Sequence, residues 1–145
     1  MKRLLWLPVL AVAASLASAC AVTHATHTNE PLYFAMELKQ HGQTVAAPKL
    51  VGFEGHKITA ERAFSEGVSP YRLQLKPDQA DIGYSILLDV ELPSGRSVGQ
   101  FGLLHGEERK IAIDAETELT LRMMRVDSDE FRALMAVEKN RVIRM

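Results

Sequence analysis

The chain has 145 residues, and its 17 basic residues against 18 acidic ones give a formal net charge of −1. That balance supplies no basic stripe for a nucleic-acid backbone, so nucleic-acid binding is set aside. One cysteine cannot form an internal disulfide, which leaves packing to hold a single domain together.

The chain opens on Met1-Lys2-Arg3, a positively charged start. Leu4 to Ala14 is apolar apart from Pro8, and Ala17-Ser18-Ala19 forms a small-residue A-x-A cleavage site. Residues 1–19 therefore read as an export signal. Leu4 to Ala19 is 16 residues long and interrupted by Pro8, too short for a membrane span of about 20 residues. Residues 14–20, Ala-Ser-Leu-Ala-Ser-Ala-Cys, resemble the lipobox of bacterial lipoproteins. The resemblance implies cleavage before Cys20, diacylation of its sulfur and acylation of its nitrogen. Ala21, where an aspartate would favour the inner membrane, implies an outer-membrane lipoprotein facing the periplasm. The pattern departs from the family in one respect: Ala17 stands third before the cysteine and Leu16 lies one place further back. Cleavage as an ordinary secretory signal, giving a soluble periplasmic or secreted protein, is thus the alternative.

Residues 20–30 contain Thr, Ala and His without periodicity and read as a tether. A single domain is expected over residues 31–145. Two-residue alternation dominates it: Leu32, Phe34, Met36 and Leu38; Tyr71, Leu73 and Leu75; Tyr84, Ile86, Leu88, Val90 and Leu92; and Thr117, Leu119, Leu121 and Met123. Such alternation sets one face on a core and the other in water, the habit of antiparallel sheet. Turn signals separate the runs at His41-Gly42, Glu54-Gly55, Glu66-Gly67, Pro77-Asp78, Pro93-Ser94-Gly95 and His105-Gly106. Weaker strands fit at roughly 45–53, 58–64, 98–104 and 109–113, with Pro48 marking an edge or bulge. Seven or eight strands of this kind predict an all-β protein, an immunoglobulin-like antiparallel β-sandwich, with a small β-barrel as the alternative. After Asp127 the period changes. Asp127 as N-cap and Glu130 three places on predict a short C-terminal helix ending near Asn140, seated on an open end or edge of the sandwich.

The chemistry-bearing residues are sparse. No G-x-S-x-G elbow occurs, and His41, His56 and His105 fall at predicted turns. Asp89 and Glu91 leave one strand face about 7 Å apart, a separation usable for glycosidase-type catalysis, but that face is the solvent one. His24 and His27 form H-x-x-H in the tether. Cleavage after Ala21 would expose Val22-Thr23-His24, whose amine, amides and imidazole suit square-planar Cu(II) or Ni(II). That site and lipidation of Cys20 exclude each other.

Leu87, Phe101, Leu103 and Met124 are expected to point away from the core and form a docking surface. An unprotected edge strand would serve the same end by accepting a partner's strand. The sequence thus reads as a non-enzymatic, exported protein-binding or assembly module without cofactor. It would serve as an accessory of a secretion or pilus machine, an inhibitor or a chaperone. The rival reading is a periplasmic copper- or metal-handling protein using His24 and His27.

Overall fold

Alternation between buried and exposed positions runs along nine strands in the computed structural model, which describes residues 29–143. The strands are β1 (Pro31–Gln40), β2 (Gln43–Ala46), β3 (Lys49–Phe53), β4 (Ile58–Arg62), β5 (Tyr71–Gln79), β6 (Tyr84–Leu92), β7 (Gly95–Leu103), β8 (Glu108–Ala112) and β9 (Thr117–Arg125). Helix α1 (Asp129–Ile143) follows. One sheet has the order β2-β1-β9-β8 with β3 also on β1, and the other has the order β4-β5-β6-β7. Every pairing is antiparallel.

The strands β2 and β3 are one strand broken in the middle. The pairs Leu38 with Ala46 and Ala35 with Lys49 belong to the same register. Between them Pro48 accepts a hydrogen bond from the Met36 N–H at 3.0 Å but has no N–H to return. This is the expected edge position for Pro48. The hairpin before it closes through His41 and Gly42, with φ of 51° and 75°. Two positive φ values in a two-residue loop match the twist of the flanking strands.

The two layers form the sandwich expected from the alternation. Its connectivity is simpler than the immunoglobulin pattern. With β2 and β3 taken as one strand, every ladder joins neighbours in the chain except that of β9 with β1, so no Greek-key crossover is made. The barrel alternative is set aside because neither β3 with β4 nor β7 with β8 forms a ladder. The antiparallel course defines two ends. Glu30, the corner at 54–57, the turn at 80–83 and the loop at 104–107 share the entry end. The far end carries His41-Gly42, the loop at 63–70, Pro93-Ser94 and the turn at 113–116.

Inner faces meet in one core. Leu32, Phe34, Met36 and Leu38 of β1 and Leu119, Leu121 and Met123 of β9 face Leu73, Leu75, Ile86, Leu88 and Val90. Fully burying a side chain of this size stabilises by about 1.5–3 kcal/mol.

Helix α1 starts one residue later than the sequence predicts. The Ser128 hydroxyl, and not the Asp127 carboxylate, accepts the Phe131 N–H at 3.2 Å, so Ser128 is the N-cap. The helix also sits elsewhere than expected, across the outer face of the β1–β9 sheet. The Phe131 ring lies 5.2 Å from that of Tyr33, and Glu138 is paired with Lys49 of β3. Met124 is the register partner of Tyr33 and points outward with it, yet both are buried, Met124 to 4% exposure. The docking role expected for Met124 is therefore corrected: its surface is already covered.

Gly83 closes the β5–β6 turn at φ +73°, and a Cβ there would lie 2.6 Å from the Leu103 carbonyl oxygen of β7. Gly83→Ala is expected to destabilise by about 1–3 kcal/mol, because a strained φ and a backbone clash act together. Urea unfolding of the two proteins measures the difference.

Candidate functional site

Four strand edges are candidates for contact with another chain, and three of them are blunted. The β2–β3 edge is broken at Pro48 and bulged opposite Leu38 and Lys39. β4 has five residues, and its Ile58 is tucked against Gly52 of β3, where an added Cβ would meet the Ile58 side chain at 2.3 Å. β8 also has five residues, and Glu108, Arg109 and Lys110 are three of them. Short length, proline, bulges and charge are the devices that keep sheet edges from recruiting other strands.

β7 has none of them. Its nine residues hold an unbroken register against β6, from Tyr84 with Leu103 to Leu92 with Gly95. Its one charged residue, Arg96, is turned onto β6, where it donates to both Asp89 oxygens at 2.9 and 2.7 Å. Gly95 to Gln100 are exposed apart from half-buried Ser97. Gly99 leaves open space at its Cβ position.

The register reverses the expected orientation of β7. Leu103 pairs with inward Tyr84, and Phe101 with inward Ile86. Leu103 is thus a core residue at 1% exposure, and Phe101 is half-buried against the core with Arg109 5.7 Å over its ring. Neither belongs to a docking surface. The outward positions are Arg96, Val98, Gln100 and Gly102. Leu87 does point outward as expected, at 43% exposure, and Val98 on the neighbouring strand is 58% exposed. Val98 is not legible from the residues as an outward position, because the inward positions Gly95, Ser97 and Gly99 carry no apolar side chain to set the phase.

Around Leu87 and Val98 the outer face is wet and its charges are ion-paired. Arg72 lies 3.2 Å from Glu61 and 3.5 Å from Glu91. The Arg96 guanidinium holds the Asp89 carboxyl below the usual carboxylate range by hydrogen bonding. Asp89 and Glu91 do share this solvent face, each engaged by an arginine.

The entry end gathers a second group of polar residues. The Tyr84 hydroxyl donates to the Glu30 carboxylate, and Arg125 lies 3.9 Å from Glu30. Glu54 is buried to 1% exposure at the β3–β4 corner; its N–H donates to the Glu30 carbonyl, and its own carbonyl faces His56 Nδ1 at 3.0 Å. His105 is half-buried, with Nδ1 accepting the Arg125 N–H at 3.1 Å and Nε2 3.2 Å from Glu130 of α1. It ties the β7–β8 loop to the helix start.

Cys20, His24 and His27 lie outside the described residues. Among the described residues, no group of three or more His, Cys, Asp and Glu side chains is placed to hold a metal ion, and no helix is long and apolar enough to cross a membrane. Comparisons with protein families, curated proteins and solved structures find no match.

Burial, followed by the hydrogen bond to Glu30, raises the Tyr84 pKa above its ordinary value. The folded state therefore holds this proton more tightly than the unfolded chain. Its contribution to stability is complete below the unfolded value of about 10 and is lost as pH rises through the folded value. Unfolding free energy measured in urea is expected to fall more steeply above about pH 10 in the parent than in Tyr84→Phe.

Proposed function

We propose that the chain is an exported, non-enzymatic protein-binding module, held by lipid on Cys20 at the periplasmic side of the outer membrane. It receives an extended segment of another protein along β7. The observation that carries this reading is the contrast between edges: three are blunted, and the nine-residue β7 is left open in unbroken register. Main-chain hydrogen bonds along an added strand supply affinity, and side chains at alternate positions supply selectivity. Val98, with Leu87 diagonal to it on β6, gives the incoming segment an apolar contact on one side, and the vacant position at Gly99 gives it room on the other. Such an edge would serve an accessory of a secretion or pilus machine, an inhibitor or a chaperone.

Photocrosslinkers at Val98 or Gln100 in intact cells are expected to capture a partner that probes on β4 and β8 do not. Gly99→Lys adds an inward-pointing charge where there is room for it. It is expected to lower that capture at least about tenfold while leaving the thermal midpoint within a few degrees. Equal capture from all three edges, or capture unaffected by Gly99→Lys, refutes strand addition at β7.

The anchor is tested separately. Intact-mass measurement of the mature protein is expected to show acyl mass on Cys20. A chain starting at Val22 and carrying copper would replace this reading with the metal-handling one.

A further inference from the structure

We infer that the far end of the sandwich holds a binding site for a monocarboxylate attached to an apolar body. A hollow of about 460 Å³ lies there, lined by Arg62, Tyr71, Pro70, Leu92 and Pro93, with Glu61, Arg72 and Glu91 on its rim. That volume falls within the range of small-ligand pockets.

Arg62 is the centre of the argument. It occupies the last inward position of β4, in line with Ile58 and Ala60, and pairs across the ladder with Tyr71. The core ends at this level, so a guanidinium stands where the strands before it place apolar side chains. Its Nε and Nη2 groups donate to the Ser69 carbonyl at 3.1 and 2.8 Å, and its carbon lies 4.9 Å from the centre of the Tyr71 ring. Both contacts fix the plane of the group. Of five N–H donors, two are used and three remain for a ligand. Arg72 beside it is already shared between Glu61 and Glu91, whereas Arg62 forms no ion pair among the described residues.

A fixed, half-buried guanidinium with spare donors matches the two oxygens of a carboxylate. The rim charges narrow the choice. Arg62 and Arg72 are matched in charge by Glu61 and Glu91, so the site has no surplus positive charge: it takes a monoanion through the spare Arg62 donors and leaves the second charge of a dianion such as phosphate uncompensated. Tyr71, Leu92, Pro70 and Pro93 provide apolar walls for the rest of the ligand. A chain-terminal carboxylate behind an apolar residue and a free arylalkanoic acid share this chemistry.

Titration of the full chain separates them. The probes are N-acetyl-Ala-Ala-Phe as free acid, the same peptide as its C-terminal amide, 3-phenylpropionate and inorganic phosphate. The free-acid peptide is expected to bind and to shift the NMR signals of Arg62 and Tyr71. The amide, and the acid added to Arg62→Gln, should bind about tenfold more weakly or worse. Arg62→Lys, which keeps charge but loses the fork, should fall between. Phenylpropionate binding as well as the peptide assigns the site to small acids; binding of the peptide alone assigns it to chain termini. Acid and amide binding equally, phosphate binding as tightly as the acids, or no binding by either acid overturns the inference, and none of these comparisons requires a variant to fold.

Discussion

The ladder between β1 and β9 is the constraint on which the rest of the molecule depends. It runs through nine register pairs from Leu32 with Arg125 to Gln40 with Thr117 and joins the first strand to the last. Closing so long a loop costs chain entropy before any contact offsets it. The compensation comes from the inner faces, where Phe34, Leu119, Leu121 and Met123 are fully buried. The opposite sheet needs no such closure, because β4 to β7 form a run of hairpins between sequence neighbours. The outer face of the ladder is used as well, since Tyr33 and Met124 together make the seat for α1.

How much could be read from the residues alone follows from where an apolar phase is marked. β1, β5, β6 and β9 alternate cleanly because each buries one face and wets the other, and their inward residues are the expected ones. In β7 the same rule has nothing to act on: Gly95, Ser97 and Gly99 are inward but not apolar, so the residues alone set Phe101 and Leu103 on the wrong side. The strand expected at 45–53 exists, broken where Pro48 withholds a donor. The helix was legible from its change of period. Its cap was not, because Asp127 and Ser128 are both good cap residues and only the distance from Ser128 to Phe131 decides between them. Its seat was hidden too, since Tyr33 and Met124 become neighbours only through the β1–β9 register.

The candidate sites were less legible for a related reason. An open edge is a property of a sheet, and β7 stands out only by contrast with the three edges that are shortened, charged or interrupted. Arg62 likewise reads as an ordinary charged residue at a strand end until the register sets it over Tyr71. The ion pairs on the outer face of β4 to β7 add little to this. Exposed pairs are worth about 0–1 kcal/mol each, so their effect is to keep that face hydrated around Leu87 and Val98.

The two ends of the sandwich give the molecule a direction. Asn29 and Glu30 lead into β1 at one end, while Arg62 and Tyr71 lie at the other, a full strand of nine or ten residues or about 30 Å away. If Cys20 carries the lipid anchor, as proposed, the membrane lies on the side of the first of these. The Arg62 guanidinium would then face away from the bilayer, and the proposed carboxylate would reach it from the aqueous side without passing between protein and lipid.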